Sequence, residues 1–222
     1  MSSGSYTGEV EVGGPADVRE LPGLTISKLA VSEMANNAYL LRDPGTGEAV
    51  LIDAAADPEA LRALIGDADV RTVVTTHGHW DHHRALPEVV EATGAVTVAH
   101  PADADDLPVP VQRTVEHGDT VPVGSQTLDV VHLRGHTPGS IALVWRGPEG
   151  AGTHVFTGDS LFPGGVGNTQ QDAGRFASLI DDVEERLFGV LPDDTWVYPG
   201  HGKDTTLGAE RPHLPEWRAR GW

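Results

Sequence analysis

A chain of 222 residues, 39% hydrophobic and 22% charged, is long enough to bury a full core and has an ordinary globular composition. Its 33 acidic residues against 15 basic ones leave a formal charge of −18. Such a surface repels phosphate backbones and anionic membranes, so no nucleic-acid and no membrane partner is expected. The absence of cysteine excludes disulfides, thiolate metal ligands and cysteine nucleophiles.

Residues 1–20 carry neither a basic n-region nor an apolar h-region, and they read as a flexible lead-in. The remainder, 21–222, reads as a single domain. No later stretch approaches the roughly 18 apolar residues of a membrane span, which makes a cytoplasmic protein the expectation. Apolar and β-branched runs predict strands over 24–31, 37–42 and 48–53, separated by turn residues such as Asp43-Pro44-Gly45. A helix is predicted over 57–66, where Asp57 can cap, Pro58 suits the first turn, and Leu61, Leu64 and Ile65 share a face. A strand over 70–75, a helix over 83–93 and a strand over 95–99 complete this half. Strands follow at 111–116, 126–133, 140–146 and 153–157.

An amphipathic helix then spans Phe176 to Phe188, with Leu179, Ile180, Val183 and Leu187 at helical spacing and Asp181, Asp182, Glu184 and Glu185 facing outward. A last strand at 195–198 runs into Pro199-Gly200-His201, and a short helix or tail follows 206. Two such halves predict an α+β fold, a four-layer αββα sandwich of mostly antiparallel strands.

The chemistry concentrates at strand ends. Eleven histidines are many for this length. The segment His77-Gly78-His79-Trp80-Asp81-His82 directly follows a strand of Val and Thr. Residues two apart on extended backbone face one side, so His77 and His79 can grip one metal. Asp81 and His82 diverge, which suits them to a second metal alongside. Imidazole and carboxylate without thiolate suit zinc, iron or manganese. Further donors can come from His136 in Gly-His-Thr-Pro-Gly, Asp159 in Thr-Gly-Asp-Ser, and His201 in Pro-Gly-His-Gly, each at the end of a strand. A carboxylate at Asp159 could bridge two ions about 3.5–4 Å apart.

Together, HGHWDH, GHTPGS, FTGDSLF and YPGHG resemble the metallo-β-lactamase-fold superfamily, in its hydroxyacylglutathione hydrolase (glyoxalase II-like) branch. The motifs run in the family's order from about residue 36 to 204. The resemblance implies two divalent ions, with zinc the first expectation. One would be held by His77, His79 and His136, the other by Asp81, His82 and His201, and Asp159 would bridge them. It further implies that Asp53 supports the metal-binding loops. The expected activity is hydrolysis of a small-molecule acyl substrate, a thioester first, by water activated between the metals, with Asp81 and Asp159 catalytic. A lactonase, a single-iron persulfide dioxygenase and a non-catalytic metal-binding protein are the alternatives. A β-lactamase proper is disfavoured by the missing cysteine, and a nuclease by the charge. Serine acyl transfer through Ser140 or Ser160 has no GxSxG signature behind it.

Some residues fall outside this scheme. His83 is read as opening the following helix, and His100, His117, His132, His154 and His213 as structural or surface groups. Trp80 is read as a packing residue, while Leu161, Phe162 and 163–167 could line the cleft or merely turn. Only 21 residues follow His201, with Lys203, Arg211, Arg218 and Arg220 as their cations. The family's longer enzymes bind their thiol through a C-terminal extension, so that clamp is not carried over. Asn168 also stands where the family often shows Arg.

Overall fold

The structure, a computed structural model, describes residues 6–221. Four strands, β1 (Asp17–Leu21), β2 (Leu24–Val31), β3 (Asn36–Arg42) and β4 (Glu48–Ile52), form an antiparallel meander. The reversal between β1 and β2 occupies only Pro22-Gly23, where φ of +91° at Gly23 requires glycine. Helix α1 (Pro58–Ile65) then returns the chain to β5 (Asp69–Val74), parallel to β4. Helix α2 (Leu86–Thr93) does the same for β6 (Val96–Ala99), and β7 (Arg113–Thr114) closes the edge. Asp57 caps α1 by accepting the Ala60 N–H.

The second sheet runs from edge to edge through Thr205–Thr206, Trp196–Pro199, Thr153–Gly158, Ile141–Arg146, Gln126–His132 and Thr120–Val123. Strands β8 (Thr120–Val123), β9 (Gln126–His132), β10 (Ile141–Arg146) and β11 (Thr153–Gly158) are antiparallel neighbours. A small hairpin, β12 (Leu161–Phe162) with β13 (Gly165–Val166), leads to α3 (Ala173–Val183). One wider π turn over Glu184–Phe188 prolongs that helix. Strand β14 (Trp196–Pro199) pairs parallel with β11, followed by β15 (Thr205–Thr206), α4 (Leu207–Glu210) and α5 (Leu214–Arg220).

Three apolar layers hold these elements together. Ile26, Leu41, Ile52 and Val74 of the first sheet meet Leu128, Leu143, Phe156 and Tyr198 of the second. On the outer faces, Leu61, Leu86 and Val89 cover the first sheet, and Phe176, Leu179, Ile180 and Trp217 cover the second. The result is the αββα sandwich. Each large side chain so buried contributes about 1.5–3 kcal/mol. Leu179, fully buried, is one where truncation to Ala would cost about 2–5 kcal/mol.

The structure departs from the sequence expectations at several points. Most of the supposed lead-in is ordered: β1 pairs with β2, and Tyr6 packs edge-on to Trp196 with its hydroxyl on Asp204. Residues 1–5 lie outside the described residues. The cause is a buried ammonium. Lys28 is wholly buried, and its three N–H bonds go to the carbonyls of Gly8 and Gly202 and to Asp204 Oδ1. The polar N-terminal segment thus supplies one of the acceptors that this charge requires.

The helix expected from 83 starts at Leu86, because a 3₁₀ turn over Trp80–His82 intervenes. The strand expected at 111–116 shrinks to β7, and the short β8, β12, β13 and β15 were not foreseen. Antiparallel pairings dominate, but β4 to β7 are mutually parallel, with α1 and α2 making the first two crossovers.

Candidate metal centre

All the candidate ligands, and the supporting Asp53, leave the C-terminal ends of strands and meet at one rim of the sandwich. Asp53 follows β4, the segment from His77 to His82 follows β5, His136 follows β9, Asp159 follows β11 and His201 follows β14. Backbone bonds lock the two sheets together at this rim: Ile141 N–H donates to Thr76 O at 2.9 Å, and Asn37 N–H to Gly200 O at 2.7 Å.

Three groups of donor atoms form there, each with its atoms within 4.8 Å of one another. They are His77 with His79 and His136, His77 with His82 and Asp159, and Asp81 with His82 and His201. All seven residues singled out as ligands are therefore brought together, in the two sets that the resemblance implies, with Asp159 between them. Asp159 Oδ1 lies 3.4 Å from His82 Nε2, and its Oδ2 lies 3.6 Å from His136 Nε2 and 3.5 Å from His201 Nε2. The closeness has a steric requirement: a Cβ on Gly200 would strike Asp159 Oδ1.

The outer nitrogens of the imidazoles show how the inner ones are presented. His136 Nδ1 sits 2.8 Å from the Asn168 carbonyl and His201 Nδ1 2.9 Å from the Met34 carbonyl. A carbonyl only accepts, so both rings carry their proton on Nδ1. Thr76 Oγ1 donates to Asp53 Oδ2 at 2.8 Å and so can accept from His77 Nδ1 at 3.1 Å. His82 Nδ1 faces Asp53 Oδ2 at 2.9 Å. Four rings therefore turn Nε2 inward as a donor for a cation. His77 Nε2, His136 Nε2 and Asp159 Oδ1 are buried without any hydrogen-bond partner. Orphaned buried donors of this chemistry fit divalent metal ions, and the His/Asp cluster indicates divalent metal binding.

Electrostatics agree with this reading. Burial pushes the His77 and His136 pKa values down, keeping both rings neutral. Burial works against charge on His82 too, yet the Asp159 and Asp53 carboxylates beside it prevail and push it up to about 10. The Asp159 carboxyl, despite its burial, is held well below the usual range by the His201 and His82 imidazoles beside it. The carboxylates thus demand positive charge between them, which a proton on His82 meets when no metal does.

Three further residues act around the cluster. Asp53 adopts φ of +58°, uncommon outside glycine, and its Oδ1 accepts the Thr76 N–H at 2.7 Å. That carboxylate therefore ties the start of the His77 loop to His82. Two residues escaped the sequence reading. Asn36 Nδ2 donates to Asp81 Oδ2 at 2.9 Å and lies 3.3 Å from His201 Nε2. Asp103, 1% exposed, accepts from Gly78 N–H, Gly139 N–H and the Thr137 hydroxyl. It thereby joins the His77–His79 loop to the His136 loop. The available signals were a polar Asn36-Asn37 pair opening an apolar strand and a lone Asp among surface acids.

Behind His201, the turn is held by Asn37 Nδ2 and Tyr39 Oη on the Pro199 carbonyl, and by Lys28 on Gly202.

The residues set aside fall elsewhere. His83 is buried with Nε2 near the Gly78 carbonyl, and it ends the 3₁₀ turn instead of opening α2. His100 stacks on His132 at 4.0 Å, and His154 is buried against Tyr198. His117 and His213 are exposed. Trp80 is not a packing residue: it is 58% exposed, with the Arg84 guanidinium 4.6 Å over its ring. The inner positions of its turn are taken by Asp81 and His82, which leaves the indole outside. Leu161 is core, whereas the Phe162 ring lies 6.5 Å from that of His201. Ser140 is engaged with Thr137.

A family model described as the metallo-beta-lactamase superfamily matches residues 31–201, and the chain belongs to that superfamily. A hydroxyacylglutathione hydrolase of Jannaschia sp. is 37% identical over 168 residues, covering 75% of this chain and 62% of the relative. The chain therefore spans less than two thirds of that relative's length. Among solved structures, ETHE1 from Myxococcus xanthus superposes with a TM-score of 0.72 at 34% identity, covering 87% of this chain and 84% of that one. TTHA1623 in a di-iron-bound form gives 0.66 at 35% identity, covering 83% and 96%. Among the described residues, no helix is long and apolar enough to cross a membrane.

Proposed function

We propose that this protein is a binuclear metal-dependent hydrolase acting on a small acyl substrate, a thioester first. One observation carries the reading: two sets of three inward-facing donors that meet at Asp159, with buried nitrogens left unpaired. His77, His79 and His136 would hold one ion, Asp81, His82 and His201 the other, and Asp159 both. Two divalent ions bound there would polarise an acyl carbonyl and acidify a water toward neutral pH.

The chain's own groups supply the rest. Asp53 keeps His82 oriented through Nδ1, and Thr76 does so for His77. Asn36 pins one oxygen of Asp81, so that the carboxylate stands in a fixed orientation to align the attacking water. The likeness to a hydroxyacylglutathione hydrolase supports a thioester as the bond cleaved. Because the chain spans only part of that relative, glutathione itself is not carried over. Zinc is the first choice of metal, with iron supported by the di-iron relative. A cytoplasmic setting goes with this reading, resting on the cysteine-free sequence.

A single-iron persulfide dioxygenase is the second reading, because two imidazoles and a carboxylate, as in His77, His82 and Asp159, also suit one non-haem iron. Elemental analysis with a thioester and lactone panel on zinc-, iron- and manganese-loaded protein tests both. Two metals per chain with thioester turnover are expected. One iron with oxygen uptake on a persulfide would overturn the hydrolase.

A further inference from the structure

A cavity of about 520 Å³ opens beside the metal centre, with His79 and His136 in its wall. The opposite wall is the first turns of α3, contributing Gly174, Arg175 and Ser178, and Arg134 and Asp106 flank it. The two guanidinium groups differ in kind. Arg134 is neutralised by a two-pronged bond to the buried Asp182, Nε to Oδ2 at 2.8 Å and Nη2 to Oδ1 at 2.7 Å. Among the described residues, the Arg175 guanidinium hydrogen-bonds to carbonyl oxygens, with Nε on Gly135 O at 2.7 Å and Nη2 on His136 O.

Among the described residues no carboxylate forms an ion pair with Arg175, whereas Arg134, the other arginine in the cavity wall, has one. Asp106 is exposed, so water screens its charge from the cavity. The cavity therefore retains a positive charge that carbonyl partners do not cancel, on a planar group with N–H bonds to spare.

We infer that this cavity is the subsite for an anionic substituent of the substrate, a carboxylate, with Arg175 as its counter-ion. The inference rests on the acyl-hydrolase reading and names the substrate class for it. A carboxylate seated against Arg175 would hang from a scissile group placed at His79 and His136, which line the same cavity. Charge-assisted hydrogen bonds of this kind change affinity by about tenfold or more. The carboxylate could belong to the acyl part or to the departing thiol.

Two substrate pairs separate these sources in the zinc-loaded protein. On the thiol side, the acetyl thioester of 5-mercapto-2-nitrobenzoate is compared with that of 4-nitrothiophenol. On the acyl side, the 4-nitrothiophenyl thioester of succinate is compared with its methyl ester. In one arm the carboxylated member should have the higher kcat/KM, about tenfold and expressed in KM. In R175M that ratio should fall toward one, and in R175K most of it should persist. Because Arg175 also holds the Gly135 and His136 carbonyls, any general damage strikes both members and cancels in the ratio. S178E, which places a carboxylate on the cavity wall and leaves the Arg175 contacts in place, should lower the same ratio.

Ratios near one in both arms, or a preference that survives both R175M and S178E, would overturn the subsite. Failure to hydrolyse any of the four would sink the hydrolase reading alone. The non-hydrolysable thioether of each substrate, titrated by calorimetry, then decides the subsite. Tighter binding of a carboxylated member that R175M abolishes supports it, and equal binding within both pairs refutes it.

Discussion

Asp53 Oδ2 receives both the hydroxyl of Thr76 and Nδ1 of His82, so one carboxylate outside the donor groups orients His82 directly and His77 through Thr76. This explains why a residue with no place among the ligands sits at the centre of the site's hydrogen bonding. Replacing Asp53 by Asn keeps its shape and removes its charge. Metal affinity should fall by about 10–100-fold, read by competition with a chromophoric chelator. Unchanged affinity would reduce Asp53 to a cap on β4.

Asp159 touches both donor sets, so Asp159→Ala should remove metal and activity together. Elemental analysis after gel filtration measures this directly. A variant that retains two metals and normal turnover would contradict a bridging role.

His83 adjoins the ligands in sequence but not in chemistry, since its Nε2 faces the Gly78 carbonyl. His83→Ala should therefore keep two metals per chain. Loss of one ion would show that the boundary of the cluster has been misdrawn.

Asp103→Ala strands the buried Gly139 N–H and the half-buried Gly78 N–H, while the Thr137 hydroxyl keeps Ser140 Oγ as a partner. At about 1–3 kcal/mol for each unsatisfied group, the loss should be on the order of 2 kcal/mol or more. Urea unfolding of the metal-stripped protein measures the loss apart from metal binding. A change below about 1 kcal/mol would mean that water replaces the carboxylate at little cost.

His154 provides a pH test remote from the centre. Its Nε2 must donate to the Ala151 carbonyl, and Tyr198, which accepts from Arg19, must donate to its Nδ1. Burial pushes this imidazole down from 6.5 to about 4. The folded pKa lies below the unfolded one, so the unfolded chain binds more protons between those values. The contribution is complete above pH 6.5 and is lost as pH falls toward 4, to a total of about 3 kcal/mol. Urea unfolding of stripped wild type and His154→Gln at pH 7.5 and 5 should show a smaller pH-dependent loss in the variant. Equal losses would contradict the assignment.

The candidate ligands were legible from sequence for a physical reason. Metal chemistry restricts residue types severely, and each donor must end a strand, so HGHWDH, GHTPGS, TGDS and PGHG announce themselves locally. The same holds for the long amphipathic helix of Phe176 to Phe188, except at Asp182, which was expected to face outward and is instead buried against Arg134 and Arg186. What tertiary structure alone decided are the groups whose partners are remote in the chain. Lys28 reads as an ordinary surface lysine until Gly8, Gly202 and Asp204 close over it, which turns a polar N-terminal segment into ordered structure. Asp103 reads as one acid among Asp103, Asp105 and Asp106 until folding brings Gly78 and Gly139 to its two oxygens. Arg175 becomes distinctive only when folding sets it in the cavity wall beside His79 and His136. A ligand's identity lies in its own side chain, whereas the worth of a supporting charge lies in what surrounds it, and that is set only when the two sheets close.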